Sequence, residues 1–387
     1  MTFTPCVQAH GRERISAMHK VLVMFSGGLD SVVAVHLLKS QGLDVTALHF
    51  VLPFYAGIDS EQEEVRKYAD VLGVPLRIVE EGEEFLEMVR DPRFGYGKNA
   101  NPCIDCRIHR VMKAARIMEE VGAVCLATGE VVGQRPMSQK LHALRKIEKL
   151  AGLKGKLLRP LSAKLLEPTE VEIAGIVDRE RLLDIAGRGR SVQLAYARKH
   201  GLMHGTPAGG CILTNIETGA RFIDMAAHDP QYSLVDFKLL AYGRHFRTSP
   251  KYRVIVSRDD GENEALEKIY SEGLKSISAQ ESKPELAAAV SSTHAQASTP
   301  NMIQLYLRDA LGPLALGVGD PDESDLQLSA AAVVRFSRMR NADQAAVVVN
   351  GSINGSEVNR IIEVKAVEDA VLDKIRVSSS SKSVNAV

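Results

Sequence analysis

The sequence predicts an α/β protein in which a doubly wound parallel sheet is followed by a second, smaller α+β domain. In the first half of the chain, short apolar runs typical of buried strands alternate with segments of helical length. This alternation favours a parallel sheet with helices on both faces. The composition shifts near Asp229-Pro230, and strand-like patterns of a different kind follow. The 387 residues are enough for two or three domains.

The elements of the predicted sheet follow one another in order. The first strand is the apolar run Val21–Phe25, and the first helix extends from Ser31 to Gly42, where a glycine is a common stop. Ligands of such sheets bind beyond the carboxyl ends of the strands, where residues 26–31 and 128–130 should lie. The later elements are predicted as strands at Asp44–Val51, Pro75–Val79 and Val124–Thr128 and a helix at Ser60–Gly73.

Between the first strand and the first helix stands the hexapeptide Ser26-Gly27-Gly28-Leu29-Asp30-Ser31. Its glycines let backbone N–H groups approach an anion closely, and the helix N-terminus adds a partial positive charge. The two serines can donate hydroxyl groups to phosphate oxygens, and Asp30 can hold Mg²⁺ beside them. No lysine follows the glycines, so the loop is not of the Walker A type.

The overall composition excludes several classes of protein. Lys plus Arg and Asp plus Glu both number 48, so no global charge draws the chain to nucleic acid or to a membrane. No apolar run has the length of a membrane span, and the first residues lack the apolar region of a signal peptide. We therefore expect a cytoplasmic protein without a membrane partner. Its five cysteines, an odd number for a reducing compartment, argue against a disulfide framework and for metal or catalytic use.

Two of these cysteines lie at the predicted start of one helix. Asn101 suits the N-cap and Pro102 the first helical position. Cys103 and Cys106 are three residues apart and so share a helix face within the first turn. The helix dipole and the exposed N–H groups should lower their thiol pKa values, which would favour thiolates as metal ligands or nucleophiles.

A third cysteine, Cys211, follows Gly209-Gly210, a pair that suits a tight loop. Three thiolates can hold three irons of a [4Fe–4S] cluster and leave the fourth iron open. A zinc site, with His204 or His109 as the fourth ligand, is the alternative. The other two cysteines are predicted to be a buried strand residue, Cys125, and an incidental residue, Cys6.

A locally basic segment extends from Arg135 to Arg159. It contains eight lysines and arginines against one acid, Glu148, a net charge of +7 in 25 residues of an otherwise neutral chain. Such a one-sided charge predicts contact with an RNA backbone, whereas an ordinary solvated helix face usually mixes both signs. Arg188, Arg190, Arg198 and Lys199 could extend the patch. The predicted RNA-binding residues are Arg135, Lys140, Arg145, Lys146, Lys149, Lys154, Lys156 and Arg159.

Four segments are predicted along the chain. They are an N-terminal extension at 1–18, a catalytic domain at 19–228, an accessory domain at 229–375 and a disordered tail at 376–387. Within the accessory domain, residues 280–299 are rich in Ala, Ser and Gln and are expected to form a linker. Strand-like runs follow at Ala331–Phe336 and Ala345–Val349.

The hexapeptide Ser26–Ser31 resembles the pyrophosphate loop of the ATP pyrophosphatase (PP-loop) superfamily, whose members split ATP into AMP and pyrophosphate. The stretch from Thr128 to Gln139 is similar to the T-G-E-S-x-G-Q-x-x-S-Q pattern of tRNA 4-thiouridine synthases. Asn101-Pro-Cys103 with the distant Cys211 resembles the cysteine pair of tRNA 2-thiouridine synthetases. The additional Cys106 departs from that pair and resembles the tRNA thiolases that bind [4Fe–4S] through three cysteines.

A second resemblance lies in the accessory domain. Gly243-Arg-His-Phe-Arg247 and the following residues to Asn263 and Leu266 are similar to the G-R-H-F…V-G-R-x-x-x-E-N-x-x-L pattern of the NFACT RNA-binding module. That module occurs in proteins that act on RNA or ribosomes. The resemblance implies a second RNA-binding surface, and a plain α+β accessory domain is the alternative.

The PP-loop resemblance implies ATP-dependent tRNA thiouridine synthesis, in which a uridine carbonyl is adenylated and then replaced by sulfur. In the favoured version the sulfur comes from a [4Fe–4S] cluster on Cys103, Cys106 and Cys211, which with Asp30 are the expected catalytic residues. In the alternative version Cys103 or Cys211 carries a persulfide and the other cysteine resolves the disulfide. ATP and Mg²⁺ are the other implied cofactors. The implied nucleotide-binding residues are Ser26, Gly27, Gly28, Asp30 (also the Mg²⁺ ligand), Ser31, His49, Thr128, Gly129 and Gln134.

The expected partners are tRNA and a sulfur donor, with a homodimer as one option for the assembly. The 4-thiouridine synthases carry an N-terminal RNA-binding module, and some add a rhodanese-like domain, but neither has room before Val21. We therefore expect sulfide or a separate carrier protein as the donor. Two rival functions stay open: another AMP-forming PP-loop ligase and a non-catalytic RNA-binding protein.

Overall fold

The computed structural model describes residues 19–55, 59–205, 211–281, 301–353 and 355–378. The predicted N-terminal extension, most of the predicted linker and the end of the tail lie outside these residues. The chain divides into two compact units, one of residues 1–49, 64–77 and 111–207 and the other of residues 50–63, 78–110 and 208–387. The boundaries predicted from the sequence, 19–228 and 229–375, stay a prediction.

Five strands form one sheet in the order β3-β2-β1-β4-β5, in which β1 is parallel to β2 and β4, and β4 is parallel to β5. The central position of β1 explains why it is apolar throughout, since its residues from Val21 onward are buried. The predicted doubly wound parallel sheet is confirmed. The strands are β1 (Lys20–Met24), β2 (Asp44–Val51), β3 (Leu76–Glu80), β4 (Cys125–Thr128) and β5 (Leu157–Leu158).

Helices follow the strands, as the alternation predicted. The first helix, α1 (Leu29–Lys39), buries Val32, Val33 and Val35 against the core that it shares with β1. The other helices of this part of the chain are α2 (Asp59–Leu72), α3 (Glu83–Arg90), α4 (Cys103–Glu120), α5 (Leu141–Leu150), α6 (Glu170–Ile173), α7 (Ser191–Lys199), α8 (Ile216–His228) and α9 (Leu234–Leu239).

A second sheet of six antiparallel strands has the order β11-β10-β8-β9-β7-β6. Alternate residues of its strands enter two separate cores, because successive side chains point to opposite faces of a sheet. The predicted α+β domain is confirmed. Its elements are β6 (Arg244–Ser249), β7 (Tyr252–Val256), α10 (Asp260–Glu281), β8 (Met302–Leu307), β9 (Ala315–Gly319), α11 (Glu323–Arg335), β10 (Ala345–Ile353), β11 (Ser356–Val364) and α12 (Asp369–Ile375).

One of the two strands predicted here is wrong. Residues 331–336 form the end of α11 and its C-cap instead of a strand. A capping box fixes the start of this helix, since the Asp322 side chain accepts from the Asp325 amide and the Asp325 carboxylate accepts from the Asp322 amide. Leu326, Ala330 and Val333 are then buried at helical spacing, so the local apolar run belongs to a helix face. The strand predicted at Ala345–Val349 is confirmed as the first part of β10.

The motif residues at the start of this sheet hold the fold together. Gly243 has φ 65°, and a Cβ there would lie 2.5 Å from the Ile255 side chain, so only glycine fits. The buried His245 ring donates through Nε2 toward the carbonyl oxygens of Tyr242 and Leu239, at 3.0 and 3.2 Å. The Asn263 Oδ1 atom accepts from the Leu314 amide at 2.8 Å.

We expect His245 to make the stability of the protein depend on pH. Burial, with the nearby Arg221 and Arg253 guanidinium groups, holds the pKa of His245 well below its ordinary value. Below about pH 6.5 this histidine is therefore protonated in the unfolded chain but not in the folded chain. As the pH falls, the free energy of unfolding then decreases by up to about 1.4 kcal/mol per pH unit. Above about pH 7 this contribution does not change.

Urea denaturation of His245→Gln between pH 7 and 5 tests this expectation, because glutamine keeps an amide donor and does not titrate. The variant should be less stable at pH 7 and should lose less stability than the wild type on acidification. Replacement of the exposed His142 by Gln is the control. Parallel pH profiles for the wild type and His245→Gln would contradict the expectation.

Candidate nucleotide loop and cysteine site

The loop between β1 and α1 is fixed by close backbone contacts. Gly27 has φ 71°, and a Cβ at this position would lie 2.8 Å from the Tyr68 ring. Its carbonyl oxygen accepts from the Gly205 amide at 2.9 Å. Gly28 is extended and precedes the first turn of α1. Both glycines therefore keep the backbone close to the helix start, as the anion-binding prediction requires.

The two serines of the loop differ in exposure. Ser31 is buried; its hydroxyl donates to the Gly28 carbonyl oxygen at 2.8 Å and accepts from the Ser26 amide at 3.3 Å. Ser26 is exposed, and its Oγ lies 3.3 Å from that of Ser31. The Ser31 hydroxyl thus closes the loop, and that of Ser26 faces outward.

Asp30, in the first turn of α1, is held by two side-chain amides. The Gln134 Nε2 group donates to its Oδ2 at 3.1 Å, and the Gln193 Nε2 group donates to its Oδ1 at 3.2 Å. Gln134 was among the predicted residues, whereas Gln193 was not. It lies 163 positions from Asp30 in α7, and nothing in its local pattern marks it.

The end of β4 packs directly on the start of α1. A Cβ at Gly129 would lie 2.6 Å from both the Asp30 carbonyl carbon and the Ser31 nitrogen, so this contact requires glycine. Thr128 is fully buried, and its hydroxyl donates to the Glu130 carboxylate at 3.3 Å. His49 is buried as well, and its Nδ1 donates to the Phe25 carbonyl oxygen at 2.9 Å. These predicted nucleotide-site residues thus support the loop through packing and hydrogen bonds.

All but one of the cations of the basic segment are exposed. Arg159 is buried, 1% exposed, and its guanidinium pairs with Glu130 at 3.0 Å and with Glu148. Arg159 is therefore not part of the exposed surface. Glu148, the one acid of the segment, neutralises Arg159 and not one of the exposed cations. Helix α5 buries Ala143, Leu144 and Ile147, which turns its cations outward. The seven exposed cations are Arg135, Lys140, Arg145, Lys146, Lys149, Lys154 and Lys156.

The cysteines lie where two loops dock on each other. Helix α4 begins at Cys103, one residue later than predicted, and the Cys106 amide donates to the Pro102 carbonyl oxygen at 2.9 Å. Cys211 precedes a short 3₁₀ turn that ends at Thr214, whose carbonyl oxygen accepts from the Asn99 side-chain amide at 2.7 Å. This bond ties the segment before α4 to the turn after Cys211. Cys106 and Cys211 both pack against one aromatic core.

The predicted lowering of the thiol pKa at the start of α4 is wrong for Cys106. Burial raises the pKa of Cys106, and it raises the pKa of Cys211 to about 11. The Leu213 amide and the Arg110 guanidinium act in the opposite direction on Cys211 and are outweighed. Desolvation therefore exceeds the effects of these neighbouring groups and disfavours the thiolate form of both cysteines.

In the described part of the chain, no three His, Cys, Asp or Glu side chains are grouped closely enough to hold a metal ion. Three thiols are a suitable donor set for a cluster, and their mutual electrostatic effects place them in one neighbourhood. The histidines of the zinc alternative have other contacts, His109 with Glu81 at 3.1 Å and His204 with the Gly205 carbonyl oxygen at 2.9 Å.

Helices α8 and α9 pack in the same aromatic core as Cys106 and Cys211, and we call this part of the chain the cysteine layer. Buried ion pairs join it to the antiparallel sheet. Asp236 in α9 pairs with Arg253 in β7 at 2.6 Å, and both side chains are nearly inaccessible. Asp224 in α8 pairs with Arg247 in β6 at 2.6 Å. Removing one partner of such a buried pair leaves an uncompensated charge and costs about 3–5 kcal/mol. The cysteine layer and the sheet therefore form one cooperative unit.

None of the helices in the described ranges is both long and apolar enough to cross a lipid bilayer. This agrees with the absence of an apolar run of that length in the sequence.

Comparison with known proteins identifies two parts of the chain. Residues 19–150 match the family model of the tRNA methyl transferase HUP domain. Residues 243–299 and 292–376 match that of the NFACT protein RNA binding domain. Each match covers about a third of the chain. The first matched segment contains the loop, Asp30 and Gly129, and the second contains Gly243, His245 and the antiparallel sheet.

Curated relatives of the HUP domain are thiouridylases, as the resemblance predicted. The chain is 38% identical over 120 residues to the tRNA-specific 2-thiouridylase MnmA of Syntrophotalea carbinolica, which covers 28% of this chain and 34% of that protein. It is 28% identical over 200 residues to the MnmA of Parvibaculum lavamentivorans, which covers 46% of this chain and 49% of that protein. The chain thus spans a third to a half of the length of these relatives.

Among solved structures, the chain is similar to the U34-tRNA thiolase NcsA from Methanococcus maripaludis, described with its [4Fe-4S] cluster. The identity is 16%, the likeness covers 60% of this chain and 73% of NcsA, and the TM-score is 0.29. A likeness at this level carries no argument about the present site.

We expect Gly129→Ala to damage the loop, because its methyl group would overlap the backbone of Asp30 and Ser31. Overpacking of this kind costs about 1–3 kcal/mol of folding stability and should also displace the Asp30 carboxylate. Urea denaturation and the binding of a non-hydrolysable ATP analogue measure both effects. Gly189→Ala is the matched control, since a Cβ there meets nothing within 4 Å. Equal stability and nucleotide affinity in the two variants would refute this account of the loop.

Proposed function

We propose that the chain is an ATP-dependent tRNA thiouridine synthase. The observation that carries the proposal is the Ser-Gly-Gly loop at the start of α1, with the Asp30 carboxylate held beside it by Gln134 and Gln193. This arrangement suits the pyrophosphate part of ATP, because it combines a helix N-terminus with a fixed carboxylate for a cation. The thiouridylase relatives of the HUP domain and the NFACT RNA binding domain favour tRNA as the acceptor.

The first step is adenylation of the target uridine. Its carbonyl oxygen attacks the α-phosphate of ATP, and pyrophosphate leaves. The loop residues Ser26 to Ser31 would bind the departing phosphates. Asp30 would hold Mg²⁺, which when bound offsets the charge of the pyrophosphate. The buried Gln193 Oε1 has no hydrogen-bond partner in the described structure, and an acceptor at this place fits a hydrated cation.

The second step replaces the adenylated oxygen with sulfur. Of the two versions, we write this step through the thiols themselves, with a persulfide on Cys103 or Cys211. The terminal persulfide sulfur attacks the activated carbon and expels AMP. The thiolate of the other cysteine then attacks the inner sulfur, which releases the thiouridine and forms a disulfide. To complete the cycle, an external thiol reduces the disulfide and a carrier protein that bears a persulfide transfers its outer sulfur to the freed thiolate. Where sulfide is the donor, it attacks the disulfide itself, which forms the new persulfide and releases the other cysteine as a thiolate.

If the protein instead carries a [4Fe–4S] cluster, Cys103, Cys106 and Cys211 are its proposed ligands. The role of Cys106 separates the two versions, since the persulfide version does not need its thiol. The cytoplasmic location and the homodimer stay predictions.

Cysteine variants should separate the two steps. We expect Cys103→Ala and Cys211→Ala to lose thiouridine formation by at least about a thousandfold, because each removes a sulfur nucleophile. Both should retain tRNA-dependent release of pyrophosphate, since adenylation uses the loop alone. Mass spectrometry of digested tRNA and a pyrophosphate assay measure the two steps, and Cys125→Ala, in the buried strand β4, is the control. Full thiouridine formation by both variants would contradict the proposal.

Anaerobic purification with iron and sulfide analysis distinguishes the persulfide route from the cluster route. Iron-free protein in which Cys106→Ala retains full activity supports the persulfide route. About four irons, lost together with activity in Cys106→Ala, would replace that route with the cluster. Pyrophosphate release that does not depend on tRNA would instead favour another PP-loop ligase.

The basic surface should bind the tRNA backbone. We expect the triple variant Lys149→Ala, Lys154→Ala and Lys156→Ala to weaken tRNA binding. It should also reduce the slope of log affinity against log salt by up to about 2–3, since each of the three lost phosphate contacts contributes about 0.7–0.9. Filter binding at several salt concentrations measures this, with the exposed Lys67→Ala on α2 as the control. A salt slope equal to that of the wild type would exclude this surface.

A further inference from the structure

Gln193 is a buried side chain whose amide contacts the carboxylate of Asp30. It is 0% exposed, and its Nε2 group donates to Asp30 Oδ1 at 3.2 Å. The half-buried Gln134 donates to the other oxygen, Oδ2, at 3.1 Å. One amide from each side thus fixes the plane of the carboxylate.

The orientation of the Gln193 amide follows from this contact. A carboxylate accepts hydrogen bonds, so the NH₂ end of the amide must face Asp30, and a flipped amide would place two acceptors against each other. The Oε1 atom then points away from Asp30. It is buried, and it has no hydrogen-bond partner among the described residues.

A buried acceptor without a donor destabilises the folded chain, so its presence calls for a donor other than the described residues. Each carboxylate oxygen can accept more than one hydrogen bond or metal contact, and Asp30 retains such capacity on both oxygens. A hydrated Mg²⁺ ion meets both needs, because it binds carboxylate oxygen and keeps several water molecules that donate hydrogen bonds.

We propose that Gln193 and Gln134 are positioning residues that orient Asp30 toward Mg²⁺-bound nucleotide, and that Gln193 Oε1 accepts a hydrogen bond from a water molecule of the hydrated ion. The inference rests on the nucleotide-binding part of the proposed function. It does not depend on tRNA or on sulfur transfer. Gln193 therefore governs the Mg²⁺-dependent part of nucleotide affinity and not the contacts of the nucleotide itself.

Calorimetric binding of α,β-methylene ATP to the full chain, with Mg²⁺ and with EDTA, tests the proposal. Gln193→Met keeps the length of the side chain and removes both hydrogen bonds. We expect it to weaken binding about tenfold with Mg²⁺, the usual size of a lost hydrogen bond to a charged group, and less than about twofold with EDTA. The control is Gln41→Met, which removes a glutamine whose amide bonds to the Asp178 backbone.

Gln134→Met gives an independent test at a less buried position. This variant should also lose nucleotide affinity in the presence of Mg²⁺ and not in the presence of EDTA. Thermal denaturation of every variant reports on folding. An equal loss with Mg²⁺ and with EDTA would overturn the proposal, since it would indicate packing or a direct nucleotide contact. No loss in either variant, or no nucleotide binding by the wild type, would overturn it as well.

The outcome is separable from that of the proposed function. A Mg²⁺-confined loss in a protein that releases no pyrophosphate with tRNA would retain the role of Gln193 and remove thiouridine synthesis. If the wild type forms thiouridine and the Gln193→Met variant binds Mg²⁺-nucleotide normally, thiouridine synthesis is retained and the role of Gln193 is removed.

Discussion

The close approach of Gly129 to the first turn of α1 is the constraint on which the nucleotide loop depends. A side chain at this position would lie 2.6 Å from the Asp30 and Ser31 backbone, so the end of β4 and the start of α1 can meet only through glycine. That contact fixes where Asp30 projects. The amides of Gln134 and Gln193 can then reach its two oxygens from different segments of the chain. The anion site is thus built by backbone packing first and by polar contacts second.

The cysteine layer depends on a different balance. Burial against an aromatic core raises the pKa of Cys106 and of Cys211, and Arg110 does not compensate for it. A buried thiol is unreactive until charge or a ligand changes its surroundings, which protects it from adventitious oxidation. Because Asp236 and Arg253 form a buried pair, the same layer is locked to the sheet of the RNA binding domain.

Local patterns in the sequence were sufficient for four of the five strands of the first sheet, whereas the two-residue strand β5 was not predicted. Alternating apolar runs predicted β1 and β4, and the hexapeptide predicted a phosphate loop before α1. Residues 331–336 were misassigned because a short apolar run has no period of its own, and the Asp322 capping box that fixes α11 lies nine residues earlier. Gln193 and Arg159 could not be predicted in their roles, since each depends on a partner brought close only by the fold. The thiol pKa values failed for the same reason, because desolvation is a tertiary property.

The most direct test of this account is the product balance of one reaction. Unmodified tRNA, ATP, Mg²⁺, a thiol reductant and a carrier protein that bears a persulfide are incubated with the full chain, and thiouridine, AMP and pyrophosphate are quantified together. The account predicts that the three products form in equal amounts and that none forms without tRNA. Pyrophosphate release without tRNA, or AMP formed with no sulfur in the tRNA, would contradict it.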